Sequence, residues 1–307
     1  MSYLQAIIIG LLQGVTELFP VSSLGHSVLL PALIGGSWHT LVTQSSTGNS
    51  EASPYLTFIV ALHVATALAL MFVFRNTWFR VIEGFFRSLR RRKIETSAER
   101  LAWLIVVATI PVGITGLALE HDFRTLFAKP LAAAIFLTIN GAILLLGEWL
   151  RRRAESRARD EMSPTMRAVL PSDAPAEHRP LDRVRYPNAF VVGFVQTFAL
   201  LAGISRSGIT MVGGLLSGLD HEDAARFSFL LATPVILAAG VLKLPSLAGS
   251  GGDHIRGQAL VGALVAAVAA YLSTKFLLRF FETRTLTPFA IYCLAMGGFC
   301  IVRFGFF

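Results

Sequence analysis

The chain has few charged residues for its length, and this shortage limits what kind of protein it can be. Only 15% of its 307 residues are Asp, Glu, Lys or Arg, whereas 54% are hydrophobic and the mean hydropathy is +0.62. A soluble domain would carry about 25% charged residues. The composition therefore argues against a soluble globular protein and predicts an all-α integral membrane protein.

Cysteines are scarce, and the common motifs of soluble enzymes are missing. The two cysteines, Cys293 and Cys300, lie in one apolar segment, which argues against a disulfide framework and offers no metal-ligand spacing. The sequence contains no P-loop, no Cys-x-x-Cys and no Gly-x-Ser-x-Gly motif. The N-terminus lacks a basic region before its first apolar stretch, so we expect no cleavable signal peptide.

The net charge of +8 does not indicate a nucleic-acid partner, because the cationic residues are not spread over the chain. Most of them are concentrated in the segments 75–100 and 151–187, each of which lies between apolar stretches. Short basic segments of this kind are typical of the cytoplasmic loops of membrane proteins. Placing both in the cytoplasm orients the intervening spans and leaves the loops 36–54 and 120–130 outside.

The apolar segments form two sets of the same design, separated by the basic linker 151–187. Each set begins with two apolar pieces that are too short to span a bilayer singly, which predicts a re-entrant hairpin of broken helices. Three full-length spans follow each hairpin. The first repeat is 1–150, with a hairpin over 4–34 and spans 55–74, 101–119 and 131–150; the second is 188–307, with a hairpin over 188–219 and spans 227–242, 259–281 and 288–302.

The two hairpins also match each other residue by residue. Because each copy has three spans, an odd number, the two copies would be inverted in the membrane, as in many proteins that handle polar cargo. Chance similarity between two Gly-rich stretches is the alternative, but the absence of gaps favours a true repeat. A shift of 183 positions aligns Ala6 with Ala189, Gly10 with Gly193, Gln13 with Gln196, Ser22 with Ser205, and Gly25 with Gly208.

The first hairpin places polar side chains where hydrocarbon is expected. Gln13 and Glu17 are four residues apart and share a helix face. Ser22 and Ser23 begin the next half-helix, whose free N–H groups and dipole favour an anion, and His26 lies on the same face. The serines could merely cap the helix and the histidine could merely bond a carbonyl. A buried carboxylate, however, is costly in a membrane without a partner.

The second hairpin offers such a partner at its own break. Arg206 lies between Ser205 and Ser207, with Thr210 on the following turn. A guanidinium with flanking hydroxyls at a half-helix N-terminus is typical of a phosphate cradle. The alternative is a structural ion pair between Arg206 and Glu17 that holds the hairpins together. Both interpretations hold if a phosphate displaces the ion pair when it binds.

Three further groups are weaker candidates. His63 lies in the middle of a predicted span, and we interpret it as a packing or lining residue rather than a catalyst. The acidic and histidine side chains of 120–122 resemble metal ligands by composition alone. We interpret this segment instead as the solvated end of a loop. The acidic residues of 220–223 are expected to charge the start of a helix.

The paired motifs resemble those of the bacterial undecaprenyl-diphosphate phosphatases linked to bacitracin resistance. The resemblance covers the chain except the loop 36–54 and the linker. Ala202 stands where the family usually has Pro, and Leu24 where a small polar residue is common. The matching residues are Gln13-xxx-Glu17, then Pro20-Val21-Ser22-Ser23-x-Gly25-His26, and later Gly203-x-Ser205-Arg206-Ser207-Gly208-x-Thr210.

The resemblance implies a membrane hydrolase that removes the terminal phosphate of undecaprenyl diphosphate. Such an enzyme recycles the carrier lipid of peptidoglycan synthesis, on which cell-wall biogenesis and cell shape depend, and confers resistance to the antibiotic bacitracin. The resemblance also implies a multi-pass protein of the bacterial inner membrane with its active site open toward the outer face, a homodimer, and a divalent cation, Mg²⁺ or Ca²⁺. A polyprenyl-phosphate transporter, or flippase, using the same midplane site is the alternative.

The resemblance and the residue chemistry together suggest roles for individual side chains. Ser23 is the preferred nucleophile, with His26 or Glu17 taking its proton; direct attack by a metal-bound or Glu17-activated water is the alternative. Gln13 and Glu17 would hold the metal. The predicted catalytic residues are Glu17, Ser23, His26 and Arg206. The predicted phosphate-binding residues are Ser22, Ser205, Arg206, Ser207 and Thr210.

Overall fold

A computed structural model describes residues 1–38, 41, 54–118, 129–160, 184–243, 245 and 255–306. These residues form helices and no strands, and six of the helices are long and apolar enough to cross a membrane: α3, α5, α6, α9, α10 and α11. The prediction of an all-α integral membrane protein is confirmed. The helices are α1 (Tyr3–Thr16), α2 (Ser23–Ile34), α3 (Pro54–Val73), α4 (Arg75–Arg91), α5 (Ser97–Ala118), α6 (Pro130–Asp160), α7 (Tyr186–Val195), a 3₁₀ helix (Gln196–Leu200), α8 (Arg206–Leu216), α9 (His221–Lys243), α10 (Arg256–Phe281) and α11 (Thr287–Gly305).

Several predicted connections lie largely outside the described residues. These are the loop 36–54, the loop 120–130 with its candidate metal ligands at 120–122, and the central part of the linker, 161–183.

Helix α6 continues beyond the predicted end of its membrane span. Arg151 lies 3.6 Å from Glu148 and also pairs with Glu155, and such pairs one turn apart stabilise a helix outside the apolar region. The segment interpreted as a linker, 151–187, therefore begins within α6, which runs to Asp160, and its role as a cytoplasmic linker stays a prediction. The arginines therefore do not mark the end of the helix.

Both hairpins are built from two short helices that are capped in the same way. Ser22 precedes α2, and its hydroxyl oxygen accepts from the backbone N–H of Gly25 at 3.2 Å. Ser205 precedes α8, and its hydroxyl oxygen accepts from the N–H of Gly208 at 3.1 Å. Positions that are equivalent under the 183-residue shift therefore have equivalent local roles.

The first helices of the two hairpins also make equivalent close contacts with a long helix. A Cβ atom on Gly10 would lie 2.4 Å from the carbonyl oxygen of Gly262 in α10, and one on Gly193 would lie 2.2 Å from that of Ala108 in α5. Small residues allow membrane helices to approach this closely. Because α5 and α10 hold the same place in the two copies, these contacts support the inverted repeat, which stays a prediction.

Glu148, in the C-terminal half of α6, joins the starts of two later helices. Its Oε1 accepts from Nε2 of His221, the first residue of α9, at 2.6 Å. The same oxygen accepts from the backbone N–H of Leu286, just before α11, at 2.8 Å. Glu148 is buried. The starts of α9 and α11 therefore lie beside the C-terminal half of α6.

The two hairpins begin on opposite sides of this helix set. The amide of Gln258, at the start of α10, lies 3.3 Å from the carbonyl oxygen of Met1, which precedes α1. Arg100, at the start of α5, donates to the carbonyl of Val184, which precedes α7, at 3.2 Å. Since each long helix crosses once, α5 begins on the side where α6 ends and α10 begins on the other. The two breaks then meet between these sides.

Candidate active site

Glu17 follows α1 directly and is the centre of a polar cluster between the two hairpin breaks. Its Oε2 accepts from Nε2 of Gln13 at 2.9 Å and from Oγ of Ser23 at 2.5 Å, and it lies 3.2 Å from Nε2 of His63. Its Oε1 pairs with the guanidinium of Arg206. Glu17 is only 7% exposed. The costly buried carboxylate therefore has four polar partners.

The ion pair between Glu17 and Arg206 joins residues that are 189 positions apart. Glu17 belongs to the first hairpin, whereas Arg206 is the first residue of α8 in the second. The guanidinium also donates to the carbonyl of Ala232 in α9 at 3.1 Å. The structure thus brings together the acid and the cation that the sequence suggested as partners. The ion pair considered as a structural alternative for Arg206 is present.

Ser22 connects the two breaks at the level of the backbone. Besides capping α2, its hydroxyl oxygen accepts from the N–H of Gly203 at 3.1 Å. Ser22 has φ +70° and Gly203 has φ +112°, both in the left-handed region. A Cβ on Gly203 would lie 2.4 Å from the carbonyl oxygen of Ala133, so only glycine fits there. Ser22 therefore organises the site, and its contact with phosphate stays a prediction.

Asn140, in α6, is a residue of the site that was not predicted from the sequence. Its Nδ2 donates to the carbonyl of Pro20 at 3.0 Å, and its Oδ1 accepts from the N–H of Ser205 at 2.9 Å. One buried amide thus satisfies a backbone group in each break. A signal was available, because a polar side chain in the middle of an apolar span needs a partner.

His63 also belongs to the site, although its sequence context suggested packing. It lies in α3, and its Nδ1 donates to the carbonyl of Ile59 at 2.8 Å. This bond directs Nε2 toward the carboxylate of Glu17. Of the two interpretations of His63, packing and lining, the contact of its ring with the central carboxylate favours lining.

His26 is close to the cluster but contacts a different partner. Its Nδ1 donates to the carbonyl of Ser22 at 2.7 Å, and its Nε2 accepts from the hydroxyl of Tyr292 in α11 at 2.8 Å. The hydroxyl of Ser23 donates to Glu17. Of the two proton acceptors suggested for Ser23, the geometry favours Glu17. Tyr292 could not be found from the sequence, since nothing nearby in the chain indicates its partner.

The hydroxyls around Arg206 take part in hydrogen bonds within the protein. Ser207 donates to the carbonyl of Phe19 in the first break at 3.0 Å, and it lies 3.0 Å from the hydroxyl of Ser205. Thr210 lies 2.7 Å from the carbonyl of Arg206, one helical turn away. These contacts fix the loop that carries the guanidinium. Their part in phosphate binding stays a prediction.

The side-chain oxygen of Gln13 is available to bind a cation. Its Oε1 is buried and has no hydrogen-bond partner within the described residues, while its amide nitrogen bonds to Glu17. Amide and carboxylate oxygens are ligands that Mg²⁺ and Ca²⁺ prefer, and Mg²⁺ sites are often completed by phosphate oxygens and water. The described residues contain no cluster of three His, Cys, Asp or Glu side chains. Gln13 and Glu17 therefore fit a cation shared with a phosphate ligand.

The chain is similar over nearly its whole length to proteins of one family. The family model described as Bacitracin resistance protein BacA matches residues 6–299. Undecaprenyl-diphosphatase 2 of Frankia alni is 64% identical over 337 aligned residues, covering 99% of this chain and 98% of the relative.

Two other relatives show that the similarity is not confined to one genus. Undecaprenyl-diphosphatase of Mycolicibacterium paratuberculosis is 55% identical over 302 residues, covering 98% of this chain and 97% of the relative. Undecaprenyl-diphosphatase 2 of Burkholderia orbicola is 43% identical over 299 residues, covering 96% and 94%. The resemblance of the motifs is confirmed, and the chain belongs to the BacA family of bacitracin resistance proteins.

Proposed function

We propose that this protein hydrolyses undecaprenyl diphosphate to undecaprenyl phosphate and inorganic phosphate. The observation that carries the proposal is the pairing of Glu17 with Arg206 where the two hairpin breaks meet. A guanidinium is suited to phosphate oxygens, and a carboxylate is suited to a cation or to proton transfer. The names of the relatives, all undecaprenyl-diphosphatases, support the same substrate and reaction. The comparisons do not support the flippase alternative.

The diphosphate binds to the guanidinium of Arg206 and displaces the ion pair with Glu17. The bond to the Ala232 carbonyl holds the Arg206 side chain at the N-terminus of α8. The guanidinium can therefore contact phosphate oxygens while this bond keeps it in place. Positive charge placed in this way offsets the charge that spreads over the phosphoryl oxygens during transfer. The carboxylate released from the pair is then free to act on Ser23.

Ser23 is the nucleophile in the mechanism that the contacts favour. Its hydroxyl attacks the terminal phosphorus while Glu17, 2.5 Å from Oγ, takes the proton. An oxygen–phosphorus bond forms, the bridging bond breaks, and undecaprenyl phosphate leaves. Water then attacks the phosphorus of the phosphoserine, the bond from phosphorus to Oγ breaks, inorganic phosphate leaves, and Oγ regains a proton. In the alternative, Glu17 activates a water that attacks the same phosphorus directly.

A divalent cation, Mg²⁺ or Ca²⁺, is part of the proposal. Gln13 and Glu17 would hold it through oxygen atoms, and when bound it would neutralise charge on the diphosphate. Removing it with EDTA is expected to suppress turnover, and adding either cation back identifies the one that acts.

Substitution of Ser23 by alanine distinguishes the two mechanisms. The covalent route predicts a loss of turnover of about a thousandfold or more, because the attacking oxygen is gone. The measurement is the initial rate of phosphate release by the purified variant. Ser27→Ala, one turn later, is the control, since that hydroxyl donates to the Ser23 carbonyl at 3.0 Å and should affect the rate little. Near-normal turnover by Ser23→Ala would exclude the covalent route.

Substitution of Asn140 by alanine is expected to lower both stability and turnover. It leaves the carbonyl of Pro20 and the N–H of Ser205 without their partner in a dry interior, at a cost of about 1–3 kcal/mol in the free energy of unfolding. Turnover should fall by about tenfold or more, because these breaks carry the reacting groups. Thermal unfolding in detergent and phosphate release measure the two effects.

The matched control is Thr138→Ala in the same helix. The Thr138 hydroxyl donates within its own helix, to the carbonyl of Ala134 at 3.0 Å, so its loss should leave both measurements close to wild type. Full activity in Asn140→Ala would show that the amide does not position the site.

The proposed reaction is tested by release of inorganic phosphate from undecaprenyl diphosphate by purified protein in detergent. We expect release that continues over many turnovers and stops with EDTA. A protein that only moves the lipid across the bilayer would release none, so absence of phosphate with a folded, cation-supplied sample would refute the hydrolase.

The proposal also includes the orientation of the protein in the bacterial inner membrane and its assembly as a homodimer. The basic segment 75–93 and the arginines at the end of α6 lie on one side of the span set, which the charge rule assigns to the cytoplasm of a bacterial inner membrane. The substrate would then enter from the outer face. Accessibility of introduced cysteines to impermeant reagents tests this orientation, and light scattering in detergent tests the expected homodimer.

A further inference from the structure

Helix α4, between the first two spans, is fixed to the protein along one face. Val81, Gly84 and Ser88 are buried on this face. The indole N–H of Trp103 in α5 donates to the Ser88 hydroxyl at 2.9 Å. A Cβ on Gly84 would lie 3.0 Å from the backbone nitrogen of Glu99, which shows how closely α4 lies against the start of α5. The helix therefore has a defined orientation, and its other faces point in fixed directions.

A second face of α4 is apolar and exposed. It consists of Phe79, Ile82, Phe86 and Leu89, and the exposed fraction of Phe79 is 72%. Their spacing of three, four and three residues places them in one stripe along the helix. No side chain among the described residues covers this apolar stripe enough to bury it. A contiguous patch of this kind indicates an apolar partner.

A third face of α4 is cationic and borders the apolar stripe. Arg80 and Arg90 lie on this face, and Arg92 and Lys93 follow the helix; all four are exposed. The structure shows no ion pair for these four side chains with any described residue, in contrast to Arg87, which lies 3.2 Å from a buried carboxylate of α5. Glu83, which lies between Arg80 and Arg90 on the helix surface, pairs with Arg87, so the cationic rim keeps a net positive charge.

We propose that α4 lies in the plane of the membrane surface and binds anionic phospholipids. The apolar stripe enters the acyl chains while the cationic rim contacts the headgroup phosphates, the arrangement expected for an interfacial basic helix. The position agrees, because α4 begins at Arg75, two residues after the span α3 ends at Val73. A second copy of the chain is a poor occupant, since it would bring two uncompensated cationic rims together.

The placement of the stripe is tested with a fluorescent dye on the full-length protein in lipid nanodiscs. The native cysteines are buried, so a cysteine introduced by Ile82→Cys or Glu83→Cys can be labelled selectively. We expect brominated acyl chains to quench the dye at 82, and aqueous iodide to quench the dye at 83. Quenching of both by iodide, or protection of position 82 from both quenchers by a protein contact, would overturn the proposal.

The lipid preference is tested with nanodiscs that mix phosphatidylglycerol and phosphatidylcholine, one of them brominated at a time. Brominated phosphatidylglycerol should quench the dye at 82 more than its bulk fraction predicts. The double variant Arg90→Gln/Arg92→Gly should reduce this preference by about tenfold. Arg92 has φ +54°, which glycine adopts without strain, so the variant should remain folded.

The matched control is Arg152→Gln/Arg153→Gln, which removes the same charge from the end of α6. This control should keep the phosphatidylglycerol preference at α4. Equal loss in both double variants would show that only net charge matters and would overturn specific binding by α4. Equal quenching by both lipids in the wild-type protein would also overturn it.

Discussion

Replacement of Glu17 by glutamine is expected to reduce phosphate release from undecaprenyl diphosphate by about a thousandfold or more. Glutamine keeps the size of the side chain but cannot take the proton of Ser23 or pair with Arg206, and it is a weaker ligand for a cation. Since all three functions converge on the one carboxylate, no other single substitution should cost more. The measurement is kcat of the purified variant, with thermal unfolding to show that it is folded.

A second buried carboxylate provides the control for this experiment. Glu148→Gln removes the same charge from a buried group that bonds to His221 and Leu286, about two helical turns along α6 from Asn140. We expect it to lower the unfolding temperature while kcat stays within a few-fold of wild type. If Glu17→Gln retains a tenth of wild-type activity, or if both variants lose activity equally, Glu17 is not the reacting carboxylate.

Replacement of Arg206 is expected to have the second largest effect. Arg206→Ala should lower kcat/KM by about 100-fold to 1,000-fold, because the phosphoryl charge loses its fixed donor. Arg206→Lys should be intermediate, since an ammonium group restores the charge but not the planar fork that also reaches the Ala232 carbonyl. The expected order of activity is therefore wild type, lysine, alanine.

An exposed arginine in the neighbouring helix is the control for charge removal. Arg226 in α9 pairs only with Glu222 one turn away in the described contacts, so Arg226→Ala should leave kcat/KM unchanged. A loss of less than about fivefold in Arg206→Ala would argue against a phosphate clamp at this residue and leave it as a structural ion-pair partner.

The architecture of the site could be predicted from the sequence where local chemistry was sufficient. The broken helices were indicated by short apolar pieces around polar residues, and the meeting of Glu17 with Arg206 followed from the cost of burying each charge alone. The caps by Ser22 and Ser205 also follow from their positions before helix starts. These features depend only on a few neighbouring residues and on the cost of placing polar groups in a membrane.

Other parts of the site depend on contacts that no local pattern specifies. Asn140 lies 120 residues from Pro20, and Tyr292 lies 266 residues from His26, so only the folded chain shows these partners. For His63 the sequence left packing and lining both open, because a histidine in a span is compatible with either role. The extension of α6 was missed because charge ended the apolar run while pairs one turn apart continued the helix.

The central claim is that two hairpins supply one hydrolytic site, and a double-mutant cycle on kcat/KM tests it most directly. Glu17→Asp, Arg206→Lys and the double variant are suitable, because conservative changes leave measurable phosphate release. If the carboxylate and the guanidinium act on one diphosphate, the double variant loses little more than the more severe single variant. Losses that multiply as for two independent residues would contradict the account.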